Sequence, residues 1–446
     1  MRTIILAMCL FFGTNAQAMT LTKVDQIGAE NSTHPCLAVD QAGNAVAVWT
    51  YSDGKSSYIY AATQLFNKTW SEPVLISNKD KKADYAKVVV DDRKHATAVW
   101  LEEGDGFYIH ASRLTYGATN QWEPTEYPIS DAVSDWSAPC LGIDKKGNVF
   151  ATWAKSKDDK FIIQGVRQLF GNNTWDLLPE SEQPYVGDYK LAVDRNGNIV
   201  FAWMDFHEGH AMMAATLPFH SNAWTVAKKL NDPSNPADQA FAPSLAVDDV
   251  GNVVVLWMSN DPDHGLKAAS LPFKAKEWIP TQFPSCKDPQ APAIAFDAAG
   301  NALVVWKTSM THAEDHSILC TTLRRFAKIW TIPVALDCSP YPGGDSYPNI
   351  ATDRKGNTMV VWGNQCPEHK GPLYSNILKA GELNWSPLPY IICDDANTGT
   401  DPLQRAEIGL SNKGSFVVLF SCPGTIDPKA ITLNAVGGFN AFQAAK

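Results

Sequence analysis

Leu245-Ala246-Val247-Asp248-Asp249-Val250-Gly251-Asn252-Val253-Val254-Val255-Leu256-Trp257 holds the pattern that decides the fold. A short apolar strand ends in Asp, a turn is written Gly-Asn, and a Trp stands nine residues after the Asp. The same nine-residue gap links Asp40 to Trp49, Asp91 to Trp100, Asp144 to Trp153, Asp194 to Trp203, Asp297 to Trp306 and Asp353 to Trp362. A second Trp follows 21 to 24 residues after each first one, at Trp70, Trp122, Trp175, Trp224, Trp278, Trp330 and Trp385. A degenerate eighth copy puts Ser411 at the Asp position and Phe420 at the Trp position. Of 15 tryptophans only Trp136 stands outside this framework, which marks it for attention.

Self-similarity at a fixed period is the signature of a repeat architecture. Each copy of about 50 residues reads as four strands, a to d. In the first copy these are 37–40, 44–51, 58–65 and 70–77. The Asp carboxylate can accept backbone N–H groups of the a–b turn, and the Gly supplies a positive-φ position. Asp194-Arg195-Asn196-Gly197-Asn198 also looks like the opening of a calcium loop. The other copies carry Ala, Arg, Lys or Val at its middle ligand position, so the turn reading is preferred.

Repeated four-stranded sheets of this size predict an all-β fold, a β-propeller. Eight copies predict eight blades, with seven as the alternative. The last copy has a poor strand d, whereas residues 21–27 match the d pattern, so an N-terminal strand is expected to complete the final blade. The Asp-x-x-Gly-Asn copies at 245–252 and 297–306 also resemble the repeats of exported bacterial β-propeller proteins. That resemblance implies a propeller and export. It implies little chemistry, because function resides in sites and not in folds.

The first 18 residues read as an export signal: Arg2, an apolar run from Ile4 to Phe12, and Ala16-Gln17-Ala18 as cleavage site. Residues 19–446 are then one propeller domain, periplasmic or extracellular. Eight cysteines remain, and six of them follow residue 280. An oxidising compartment would allow disulfides in the C-terminal third. Cys36 and Cys140, at equivalent strand positions, read as buried thiols. The net charge of −10 offers no field to gather nucleic acid or an anionic membrane. No later stretch has the ~20 apolar residues of a membrane-inserted span.

In a propeller the b–c and d–a loops emerge on one face, and here they vary between copies as a binding surface would. Two groups on this face are candidates. The b–c loops of copies four to seven carry His207, His210, His264, His312, His316 and His369, each near carboxylates. Imidazole with carboxylate suits a divalent metal such as zinc, manganese or iron, or acid–base catalysis. Polar loops also collect these residues by default. The d–a loops carry Tyr85, Trp136, Tyr189, Phe241 and Tyr347 beside acids or prolines. Such aromatics stack a sugar ring or hold a peptide, or they fill gaps between blades.

No G-x-S-x-G, phosphate loop or dinucleotide fingerprint is present. Sialidase propellers mark their blades with Ser-x-Asp-x-Gly-x-x-Trp, a tighter spacing than the one here. The expected function is therefore a non-enzymatic exported propeller that binds a protein, peptide or glycan through the b–c/d–a face. A metal-assisted hydrolase or carbohydrate-active enzyme is the second expectation, and a structural envelope component the third.

Overall fold

Eight antiparallel sheets follow one another along the chain in a computed structural model. It describes residues 20–439 apart from 22–24, 30, 117–120, 126, 159, 208, 233–234, 236–237, 262–264, 287, 309–317, 338–346, 364–370, 397–405 and 424–430. Blade 1 comprises Ser32–Val39, Ala45–Ser52, Ser57–Gln64 and Val74–Leu75 as strands a to d. The a strands touch their neighbours around the whole circle, blade 8 meeting blade 1, so the protein is an eight-bladed propeller.

Strand b is a continuous apolar run because neighbouring blades cover both of its sides. Ala45 to Thr50 are all buried, and Ala45 to Val48 expose nothing. The seven strand-b tryptophans are 0 to 2% exposed, and Phe420 fills the position in blade 8. Each indole withdraws about 150–250 Å² from water, roughly 4–6 kcal/mol of gross transfer free energy. Strand a is only half-buried because it walls the axial channel. The d strands are short, two residues in blades 1, 3, 4 and 6.

Blade 8 holds Glu407–Leu410, Phe416–Pro423 and Ile431–Phe439. Its outer partner comes from the other end of the chain: Thr20 and Leu21 pair with Phe439 and Gly438, and Asp25 and Gln26 with Ala435 and Asn434. Ile27 is buried beside Trp49 and Leu419, which ties this segment to both blades of the seam. The closing strand is thus confirmed, as two short pieces, Thr20–Leu21 and Asp25–Gln26, the first beginning one residue before the expected span.

The a–b turn does more than the sequence suggested. Asp40 accepts the backbone N–H of Asn44 at 2.8 Å and its side-chain amide at 2.7 Å. The amide oxygen of Asn44 then accepts the Phe66 N–H at 3.0 Å, fastening the c–d loop to the turn. Asn148, Asn198, Asn252, Asn301 and Asn357 repeat this bridge. The turns also nest. A β-carbon added at Gly147, Gly197, Gly251 or Gly300 would stand 3.0 to 3.1 Å from the turn Asp of the preceding blade.

Cys36, Cys140, Cys286 and Cys320 are free thiols. For Cys286 and Cys320 this corrects the expectation of bracing disulfides: both sit in blade cores, packed among Val254, Trp306 and Trp330 or Val305 and Trp362. Burial pushes the Cys286 thiol up to about 11.

Candidate functional site

The two faces of the propeller differ. On the a–b face, hydrogen bonds cross the channel mouth: Arg354 of blade 7 reaches Asp92 of blade 2 at 3.0 Å. Gln41 of blade 1 also donates to Asp92, Asn412 of blade 8 donates to Gln41, and the Arg354 N–H donates back to Asn412. This polar circuit laces the seam where the two chain ends meet.

The a–b face also bears the c–d loop phenylalanines, with Arg93 over Phe170 and Lys413 over Phe66, but the continuous run of ring contacts lies on the b–c/d–a face. Trp136, Phe161, Tyr185, Phe206, His210 and Phe241 form one unbroken row across blades 3 to 5. Successive ring centroids are 5.7, 4.5, 5.0, 5.0 and 5.0 Å apart. The rings meet tilted or edge to face, the arrangement their quadrupoles favour. Trp136 and Phe206 remain 40% and 38% exposed.

Different elements supply these rings. Phe161 is the second residue of strand c of blade 3, Lys160–Gln168. An additional segment, Ser181–Gln183, pairs with that strand through Phe161 and Gln183, which sets Tyr185 beside Phe161. Phe206 follows strand b of blade 4, Ile199–Asp205, whose buried Asp205 caps the loop by accepting the His207 N–H at 2.8 Å. Phe241 lies at a β-bulge in strand a of blade 5, Ala240–Val247, where Ala242 takes φ +46. A bulge of this kind turns a side chain away from the regular pleat.

A second aromatic pair sits on blades 1 and 2. Tyr85, φ +58, occupies a bulge of Ala83–Val90 and stacks on His34 with centroids 5.9 Å apart. Between them Asp84 accepts from His34 Nδ1 at 3.0 Å, Thr50 Oγ1 at 2.7 Å and the Tyr85 N–H at 2.7 Å. Burial pulls the Asp84 carboxyl up, but the donors and the His34 imidazole outweigh it and hold it below its ordinary value. Burial first, then the charges of Asp84 and Asp135, pushes the Tyr85 hydroxyl up.

The aromatics expected from sequence therefore separate. Trp136 and Phe241 end the row, and Tyr85 stands at the neighbouring pair. Tyr347 lies under the Lys307 ammonium, 5.8 Å from its ring centroid. Tyr189 turns inward: its hydroxyl donates to the Ala138 carbonyl at 2.6 Å and its ring stacks on Phe201. It packs blade 3 against blade 4.

Of the histidines, His210 sits between Phe206 and Phe241, and its Nδ1 is buried without a partner. His207 is exposed. His264, His312, His316 and His369 lie outside the described residues, as do Glu208, Asp263, Glu314, Asp315 and Glu368. Among the described residues no three His, Cys, Asp or Glu side chains converge as a metal site would require. Asp261 is engaged by the Lys267 ammonium at 2.9 Å.

Phe161, Tyr185 and Phe206 were not anticipated. Their only sequence signal was the concentration of aromatics between residues 136 and 206 that fall outside the repeat positions.

No protein-family model matches the chain, and no curated protein matches it. Solved structures do. A protein of unknown function from Dyadobacter fermentans aligns with TM-score 0.42 and 12% identity, over 69% of this chain and 99% of that one. Polysaccharide lyase Uly1 aligns with TM-score 0.45 and 9% identity, over 89% and 88%. The alpha-L-arabinanase of Penicillium chrysogenum, complexed with arabinobiose, aligns with TM-score 0.41 and 11% identity, over 77% and 94%. At such identities the likeness concerns the fold alone.

Proposed function

We propose that this protein is an exported, non-catalytic binding propeller whose b–c/d–a face holds a glycan. The observation that carries the reading is the row of six rings drawn from three blades onto one face. A sugar ring has apolar C–H faces and a polar rim, so it stacks on an aromatic ring while its hydroxyls find acceptors and donors at the edge. Asp135 beside Trp136, and Gln183 and Asp188 on either side of Tyr185, supply such groups. The rings are buttressed by one another, so little side-chain entropy is lost on binding. The export signal at 1–18 belongs to the same reading, because extracellular and periplasmic space is where free polysaccharide is met.

The test is binding of the mature chain to panels of immobilised neutral glycans, acidic glycans and peptides. Trp136→Ala and Phe206→Ala should each weaken glycan retention by about tenfold, or about 1.4 kcal/mol, with the fold intact. Retention of peptides alone, or glycan binding untouched by both substitutions, would reject the proposal.

A further inference from the structure

The six rings are unequally available. Trp136 and Phe206 are exposed, whereas Phe161, Tyr185, His210 and Phe241 are half-buried. Phe161 and Tyr185 stand between the two exposed rings, which are therefore linked by steps of 5.7, 4.5 and 5.0 Å. Phe161 meets both of its neighbours at 47°, and Tyr185 meets Phe206 at 85°. The two intervening rings act as struts: they keep Trp136 and Phe206 apart, on different blades, and prevent either from folding onto the other.

Gly187 gives independent support that the second ring is a built feature. A β-carbon there would stand 2.3 Å from Phe206 Cε2, 3.0 Å from Cδ2 and 3.1 Å from the Met204 carbonyl oxygen. Gly187 is not among the residues with positive φ, so conformation does not require glycine at this point; space does. The Phe206 ring lies directly over its backbone.

Charge narrows the ligand. Lys160, next to Phe161, is paired with Glu182 at 2.8 Å, and Lys155 with Asp131 at 3.8 Å. Lys157 is the cross-strand neighbour of Lys160 and also acts on Glu182, but Asp131, Asp135, Asp158, Glu182 and Asp188 outnumber Lys155, Lys157 and Lys160 in the segments that supply the row. A polyanion would be repelled by these carboxylates, whereas a neutral chain would use them as acceptors.

Resting on the glycan reading above, we infer that the face takes an internal stretch of a neutral polysaccharide. One sugar residue stacks on Trp136, and another, further along the same chain, stacks on Phe206. Once the first contact is made the second is intramolecular, so affinity multiplies without a deep pocket.

The experiment is calorimetric titration of the mature protein with gluco-, manno-, galacto- and xylo-oligosaccharides of increasing length from the monosaccharide upward, with polygalacturonate as the acidic comparison. Affinity for the preferred series should climb by about tenfold or more at the length that first spans both rings, and then level off. Phe206→Ala and Gly187→Ala should each flatten that climb, so that the longest oligomers bind the variants no better than the length that covers a single ring. Affinity independent of length, or stronger binding of polygalacturonate, would overturn the inference and leave the glycan reading standing. No binding of any of these sugars at any length would overturn both.

Discussion

Asn252 makes three hydrogen bonds from one short side chain and its own N–H, and through them joins three strands. Its N–H and side-chain amide both donate to Asp248, at 2.8 and 2.6 Å, and its amide oxygen accepts from the Phe273 N–H at 2.9 Å. Asn252→Ala should cost about 0.5–1.5 kcal/mol in urea unfolding, because a carboxylate oxygen and a backbone N–H exchange this partner for water at a part-buried turn. Gly197 is the harder constraint. Its φ is +84, and a β-carbon would come within 2.6 Å of the Phe219 ring and 3.1 Å of Asp144. Gly197→Ala therefore combines about 1–3 kcal/mol of backbone strain with a clash between blades, and should lower the unfolding midpoint more than Asn252→Ala does. Asp84 makes a prediction about pH. Its carboxyl is held low in the folded state, so the stability it contributes is present above the unfolded carboxylate value of about 3.9 and is lost as pH falls through the folded one. His34→Ala removes one of the interactions that hold it low. The variant should be less stable than the parent at pH 6, and the gap should narrow below about pH 4 as Asp84 protonates in both. Urea midpoints measured from pH 6 to pH 2 would show this, and a gap that stays constant across the range would refute it. The turn Asp and Gly were legible in the sequence because each acts within its own turn. The partner of Asn252 was not, since Phe273 N–H lies 21 residues away and only folding brings it near.

Strand b is the best-determined element. A largely apolar run ending in Trp is stable only between two other sheets; seven copies have it, and the eighth ends in Phe420. The last a strand, Glu407–Leu410, falls where it was expected, but the first was anticipated too short. In blade 1 the strand begins at Ser32, five residues before the expected Leu37, because a bulge between Thr33 and Cys36 absorbs a pattern that looks irregular on paper. The same device recurs at Asp84/Lys87, Phe241/Ser244 and Gln290/Ala293. At two of these it displays an aromatic candidate. The segment Ser181–Gln183 pairs with strand c and carries Tyr185 into the row. Disrupting this pairing should act on ligand affinity before it acts on stability. Glu182→Pro removes a backbone donor at an outer edge. It should lower the thermal midpoint by only a few degrees while weakening glycan binding by as much as Trp136→Ala does. Calorimetric scans alongside binding isotherms would check both halves, and unchanged affinity would mean that Tyr185 does not depend on the segment.

At the scale of the molecule, the ring has one seam, between blades 8 and 1, where both ends of the chain meet. The N-terminal pieces complete blade 8, Ile27 packs across the seam, and the circuit of Gln41, Asp92, Arg354 and Asn412 crosses the channel mouth there. Exposed charge pairs contribute little individually, about 0–1 kcal/mol, so the strand and its apolar contact should dominate closure. Deleting residues 20–27 should broaden the unfolding transition and make the C-terminal blade the first site of proteolysis, whereas Arg354→Ala should leave both nearly unchanged. Limited proteolysis with mass mapping would separate the two. The repeat, its period, its nine-residue Asp-to-Trp spacing and the completion of the last blade were determined by sequence alone, because they follow from local turn chemistry and from an apolar pattern that admits one kind of packing. The aromatic row was decided by tertiary structure. Trp136, Phe161, Tyr185, Phe206, His210 and Phe241 span a hundred residues and share no motif. They become one surface because three consecutive blades, each turned about a common axis, bring the same edge of their sheets to the same face.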